Sequence, residues 1–305
     1  MEYHLQTNIE LIVGMIHYVK RKDLDLNKYD ACINNAINSR IYGYSWYLDI
    51  VADNWDALVL NDYEAVMPLP WRQKYFIKYI YPPAWTQQLG VFSNFKIEAD
   101  LVEQFVNSIP KKFKKVTIQF NSENDLSLFK TEKRINYILK LDKPYEEIYK
   151  GYRKDRKDRL KQVENKKNIL RNIKIEELVI VGKCNYAYLK INNQDYEKLK
   201  LLSASIEINH KGFLLGVYSK SNQFLGGSFC LKEGARITYL FSVATEIGKK
   251  EHIITQVINE VIEEHSNSNF VLDFEGSMIE GVAEFYKSFG ADEEVYFLYK
   301  NYKLF

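Results

Sequence analysis

Short apolar runs and segments of helical period alternate along this chain, and the alternation predicts a mixed α/β fold. In the first half, residues 26–39 read as a polar helix that Asp25 or Asn27 can cap. The runs Ala57-Leu58-Val59-Leu60 and Ala65-Val66-Met67-Pro68-Leu69-Pro70 flank Asn61-Asp62-Tyr63-Glu64, a hairpin pattern. Residues 77–81 form a strand closed by Pro82-Pro83, and 99–109 an amphipathic helix stopped by Pro110. Strands at 116–120 and 136–141 complete this half.

The second half has a clearer plan. A basic helix is expected over 145–167 and a strand over 174–181. At 195–206, Tyr196, Leu199, Leu202 and Ile206 share one helical face. Three strands follow at 212–218, 223–232 and 235–244, with turns at Ser221-Asn222 and Glu233-Gly234. A long helix over 249–265 buries Ile253, Val257, Ile258, Val261 and Ile262. Strand 270–274, helix 279–288 and strand 294–302 end the chain. Two units, 1–142 and 143–305, are therefore expected, and the length of 305 residues accommodates both.

Composition narrows the partners. Forty-two Lys and Arg against 40 Asp and Glu leave a net charge of +2, so no global field selects nucleic acid. Cys32, Cys184 and Cys230 are odd in number and form no ligand spacing, which argues for free thiols and against a disulfide frame or a metal site. The N-terminal residues 1–10 lack a basic region followed by an apolar core, and the apolar run 9–18 is too short to span a bilayer. A cytoplasmic protein without a membrane span is the expectation.

The chemistry concentrates near the end. Val271-Leu272-Asp273-Phe274-Glu275-Gly276-Ser277 reads as a strand running into a turn, and Phe285-Tyr286-Lys287-Ser288-Phe289-Gly290 as a short helix stopped by glycine. This ending resembles the last acyl-CoA-binding segment of the GNAT acyltransferases, which carry an apolar-Tyr-x-x-apolar-Gly pattern. Two such halves in one chain resemble the tandem-GNAT proteins, the Fem aminoacyl transferases and the FemAB-like acetyltransferases. The phrases Trp55-Asp56-Ala57-Leu58-Val59, Met67-Pro68-Leu69-Pro70 and Gln87-Gln88-Leu89-Gly90 extend that resemblance to the first half. It implies two tandem GNAT-like acyl-CoA N-acyltransferase domains, each a mixed sheet flanked by helices, the first degenerate.

By the same resemblance, acetyl-CoA or another acyl-CoA is the donor. Its pantetheine arm would lie along Phe241, Ser242, Val243 and Ala244, and its pyrophosphate at Gly248, Lys249 and Lys250, where a helix starts. The usual pyrophosphate loop is Gln or Arg, two residues, Gly, one residue, then Gly or Ala. The run Thr245-x-x-Gly248-x-Lys250 matches it at one of those three positions. Tyr286 would protonate the departing thiolate, and Glu275 is the acidic candidate for general base, with Glu207 and His210 as further acceptor-side groups. Strand alternation puts Asp273 and Glu275 on one face, where the pair could hold a substrate amine or cap the next helix. Arg153 and Arg156 are candidates for an anionic substrate group, although Asp155 and Arg159 make an intrahelical pair on a solvated face. Fem enzymes carry lysine where this chain has Tyr286, which favours acyl-CoA and a small amine acceptor over aminoacyl-tRNA. The aminoacyl-tRNA peptidyltransferase remains the alternative, with tRNA as its partner, and a non-catalytic binding protein of the same fold is a third.

Overall fold

The computed structural model describes residues 14–185, 191–276 and 278–302. The reading of residues 1–10 and the side chain of Ser277 fall outside them. The first strands are β1 (Ile16–Lys20), β2 (Asn54–Leu60), β3 (Ala65–Lys74) and β4 (Ile77–Ile80), with helices α1 (Leu26–Asn35) and α2 (Ser45–Val51) between β1 and β2. The short β5 (Phe92–Ser93), helix α3 (Ala99–Asn107) and strands β6 (Phe113–Phe120) and β7 (Thr131–Lys140) follow. The Asp25 side chain accepts from the Lys28 N–H and caps α1 as the sequence indicates. Residues Ala65 to Pro70 of β3 are buried throughout, which explains their unbroken apolar run.

The remaining helices are α4 (Tyr145–Lys150), α5 (Lys154–Glu164), α6 (Ile175–Asn185), α7 (Asn193–Asn209), α8 (Glu246–Lys250), α9 (Ile253–His265) and α10 (Glu280–Lys287). Among them run β8 (Ile169–Asn172), β9 (Gly212–Tyr218), β10 (Phe224–Glu233), β11 (Arg236–Ala244), β12 (Val271–Asp273) and β13 (Asp292–Tyr302). The stretch expected as a strand at 174–181 is helix α6. Ile175, Leu178, Val179 and Gly182 are its buried positions, a helical period, whereas a strand would have put Glu177 on the same face as Ile175 and Val179. The basic helix expected over 145–167 is two helices. Between them Arg153 is extended and donates its N–H to the Ser288 carbonyl, 2.9 Å away. The helix expected over 249–265 is likewise broken, at His252, whose φ is 57°.

All the described strands join one mixed sheet in the order β1-β2-β3-β4-β6-β13-β7-β12-β11-β10-β9-β8, with β5 on β3. The order is nearly symmetric about its centre. β4 pairs parallel with β6, as β11 does with β12. The final strand β13 lies between β6 and β7, and β7 lies beside β12. The sheet therefore runs unbroken across the expected boundary at residue 143. One apolar cluster also spans it: Tyr47, Leu48, Val51 and Trp55 pack with Leu199, Leu202, Phe229 and Phe241.

Candidate functional site

Strands β11 and β12 pair only over three residues, Arg236–Thr238 with Val271–Asp273. Beyond them the chain leaves β12 toward β7, the Phe274 N–H donating to the Tyr137 carbonyl. β11 continues from Tyr239 to Ala244, paired with β10, and among the described residues no strand covers its other edge. A bulge helps it splay: Phe229 faces Phe241 and Cys230 faces Tyr239, so Leu240 has no counterpart. The wedge opens into a cleft of about 740 Å³. Its walls are Tyr239, Phe241 and Ser242 of β11, the start of α9, and Val282, Phe285 and Tyr286 of α10.

One part of the cleft is cationic. Arg156, Arg159 and Lys249 line it beside His252, with Asp155 as the nearby acid. Arg156 is 7% exposed, donates to Ser288 Oγ at 2.8 Å and Thr255 Oγ1 at 2.6 Å, and stacks over the Phe285 ring. Burial lowers its pKa to about 10, and among the described residues it makes no ion pair. Burial and the two arginines lower the pKa of His252 as well. Ile253, Ile254 and Thr255 bring the first turn of α9 to this wall, where a helix has N–H groups without intrahelical partners. Thr245 caps α8 by accepting from the Gly248 N–H. Gly248 cannot carry a side chain: a Cβ there would lie 2.0 Å from the Leu225 carbonyl oxygen.

Tyr286 and Glu275 face the same cleft. The Tyr286 ring is half-buried and stacks on Phe274 with centroids 4.7 Å apart. Glu275 follows β12 in the left-handed region, with φ of 50°. That turn breaks the expected alternation and separates it from Asp273. The Tyr42 hydroxyl donates to the Glu275 carboxylate. Burial first and the Asp273 charge second push the Glu275 carboxyl up to about 8, against the opposing pull of the Tyr42 hydrogen bond. Such a carboxyl exchanges its proton near neutral pH, as a general base must.

Of the residues singled out by sequence, Phe241, Ser242, Ala244, Gly248, Lys249, Arg156, Glu275 and Tyr286 meet in the cleft. Val243 turns its side chain into the core instead. Lys250 is exposed and outside the lining. Arg153 lies outside it too, exposed and paired with Glu284 at 2.8 Å and Asp155 at 3.3 Å. Glu207 and His210 are exposed at the end of α7 and do not reach the cleft. Asp273 is buried and committed: Arg236 donates to it at 2.6 Å, Asn136 at 2.8 Å and the Glu275 N–H at 2.8 Å. It positions the Glu275 backbone and leaves no oxygen toward the cleft for a substrate amine.

Sequence reasoning missed Tyr42, Trp85, Arg159, His252 and Thr255. Trp85, also in the lining, sits just after Pro82-Pro83 in the first half with φ of 62°, donates from its indole to the Asp195 carbonyl at 2.6 Å, and meets Phe241 edge-on. Only the unusual Pro-Pro-Ala-Trp sequence signals it. A smaller cavity of about 370 Å³ lies between residues 34–44 and the β10–β11 turn, lined by Arg40 and Arg236 among others. Both arginines reach Glu294, at 3.4 and 2.9 Å, and Gln88 and Asn136 donate to the same carboxylate.

No protein-family model matches the sequence, and no curated protein is detectably similar to it. Solved structures are similar in fold. FemX superposes with a TM-score of 0.64 at 12% identity, over 90% of this chain and 96% of that one. A conserved protein of unknown function from Bacteroides thetaiotaomicron gives 0.61 at 11% identity, over 93% and 99%. L-PGS from Bacillus licheniformis gives 0.56 at 11%, over 91% of each chain. The chain has the mixed α/β fold of these proteins, with a large mixed sheet flanked by helices.

Proposed function

We propose that this chain is an acyl-CoA-dependent N-acyltransferase, with an acetyl group as the simplest acyl unit. The observation that carries the reading is the splayed β11 edge opening into a cleft that ends at Arg156, Arg159 and His252. A thioester with a pantetheine arm suits an open strand edge, whose backbone groups pair with its amides, and its phosphates suit the cationic end and the start of α9. Glu275 takes the proton from the attacking amine, and Tyr286 gives one to the departing thiolate. The carbonyl carbon gains a C–N bond and loses its C–S bond. Phe285 and Phe289 hold Arg156 from the inner side, which keeps its charge directed at the donor.

The two units 1–142 and 143–305 are read as an ancient duplication with exchanged final strands. The parallel pairs β4/β6 and β11/β12, and β13 seated beside β6 while β7 sits beside β12, support this. Among its described residues the first unit has no open wedge of its own. Leu89 bridges to Phe120, takes a hydrogen bond from the Asn121 N–H at 2.7 Å, and donates to the Gln119 carbonyl at 2.8 Å. One donor per chain is the consequence.

A second reading is favoured by the fold likeness to FemX and L-PGS: the donor is then an aminoacyl-tRNA and only its aminoacyl end enters the wedge. Titration calorimetry and native mass spectrometry with acetyl-CoA separate the two. The first reading requires one acetyl-CoA per chain, with affinity weakened in Arg156→Met. No binding at millimolar acetyl-CoA, together with deacylation of an aminoacyl-tRNA, would replace it with the second.

A further inference from the structure

We propose that the end of the sheet formed by the β3–β4 hairpin tip and the start of β6 docks on an anionic phospholipid bilayer. The topology gathers the components. β4 and β6 are parallel, with Lys78 opposite Phe113, so their lead-in segments Tyr75-Phe76 and Lys111-Lys112 leave the sheet at the same end. β1 is antiparallel to β2 with Lys20 opposite Asp56, and β2 is antiparallel to β3 with Asn54 opposite Trp71, which brings the exit of β1 to that end as well.

The tip is apolar and projects. Tyr75 is 82% exposed, Phe76 96% and Ile77 42%. None of these three consecutive large apolar side chains belongs to an apolar cluster among the described residues. Lysines share this end of the sheet. The Lys78 ammonium lies 4.6 Å above the Trp71 ring and that of Lys112 lies 4.3 Å above Tyr18. Burial, with smaller contributions from Lys78 and Lys20, lowers the Lys112 pKa despite the attraction of Asp56. Among the described residues, Lys20, Lys74, Lys78, Lys111 and Lys112 make no ion pair.

The acids nearby are already used. Asp49 pairs with Arg21, and Asp53 with Arg72 and Lys198. Asp56 is buried and accepts from Tyr18, Trp71 and the Arg21 N–H. Asp23 adds one exposed acid beside Lys22. The result is an uncompensated positive face around an apolar point. A bilayer complements it: Tyr, Phe and Ile enter the headgroup–acyl boundary, and lysine stems lie along that surface while their ammoniums meet lipid phosphates. Nucleic acid fits less well, because its bases stack on aromatics that line a groove, whereas Phe76 stands at a convex tip.

The test is co-sedimentation of the full chain with vesicles of mixed phosphatidylglycerol and phosphatidylcholine, and with phosphatidylcholine alone. Binding is expected on the anionic vesicles, weakened by salt and weaker by at least about tenfold on the neutral ones. The variant Tyr75→Ser/Phe76→Ser/Ile77→Ser, which alters only exposed side chains, and the separate variant Lys111→Glu/Lys112→Glu should each lose a similar factor. Thermal melting should show both variants folded. Absence of vesicle binding, equal binding to neutral vesicles, or unchanged binding by both variants overturns the proposal. So does retention of a structured RNA that either variant abolishes while vesicle binding is nil. Acyl transfer is not needed for any of these readouts.

Discussion

The Tyr42 hydroxyl donates to the Glu275 carboxylate, across 233 residues of sequence. Tyr42 lies in a buried turn between α1 and α2, and Glu275 follows β12 on the cleft wall. Neither burial nor the Asp273 charge favours an ionised Glu275; the bond from Tyr42 is the contribution that does. The first half of the chain thus supplies a hydrogen bond that favours ionisation of a group presented by the second.

That relationship has a pH signature. If Glu275 is the base, activity should rise with pH through about 8. Tyr42→Phe removes a hydrogen bond that favours the carboxylate, so the rising limb should move to higher pH. Glu275→Gln should lower kcat by roughly 10²–10⁴-fold and abolish the limb. Thiol release from acetyl-CoA with a panel of amines measures all three, and superimposable profiles for wild type and Tyr42→Phe would count against the assignment.

Tyr286→Phe keeps the ring stacked on Phe274 and removes its transferable proton. With Tyr286 as general acid, kcat should fall by roughly 10²–10⁴-fold while donor affinity barely changes. A purely structural tyrosine would cost about 1 kcal/mol of stability at most and leave turnover intact. Steady-state kinetics beside a thermal melt distinguish these outcomes.

Arg156→Met retains a stem to pack on Phe285 and Phe289 and deletes the charge. Because a hydrogen bond from a charged group contributes about 1.5–3 kcal/mol, acetyl-CoA affinity should weaken by roughly ten- to a hundredfold. Acetyl-pantetheine, which lacks the phosphates, should bind both proteins alike. Equal acetyl-CoA affinity in the variant would remove Arg156 from the donor site.

Glu294 is the carboxylate that Arg40 and Arg236 share, and those two charges hold its pKa well below the ordinary range in spite of burial. A depressed carboxylate contributes stability that is complete above its unfolded pKa of about 4.5 and is lost as pH falls toward its folded value. Acid unfolding should therefore steepen below about 4.5. Glu294→Gln should cost about 3–5 kcal/mol at neutral pH, since it strands the buried Arg40 while Arg236 keeps its pair with Asp273, and should blunt that acid dependence. Urea titrations at several pH values test both.

Much of the cleft was legible in the linear sequence. Period and punctuation located the meander β9–β11, the strand β12 and the helix α10, because these depend on local alternation, capping and turn residues. The phrase around Tyr286, the acid at Glu275 and the glycine at 248 marked cleft residues for the same reason: short-range chemistry leaves a short-range signature. The period of α6 was present as well, but its density of Val and Ile outweighed it in a strand reading.

Tertiary structure decided the rest. The seating of β13 between β6 and β7, the delivery of Tyr42 and Trp85 to a cleft built by the other half, and the capture of Asp273 by Arg236 join residues far apart in sequence. Glu275 left the alternation of its strand because the chain turns into the left-handed region there, which no neighbouring residue announces. Such pairings are selected by the free energy of burying whole faces and satisfying every buried polar group at once. Local sequence sets which elements are available; the choice among their arrangements is a property of the complete fold.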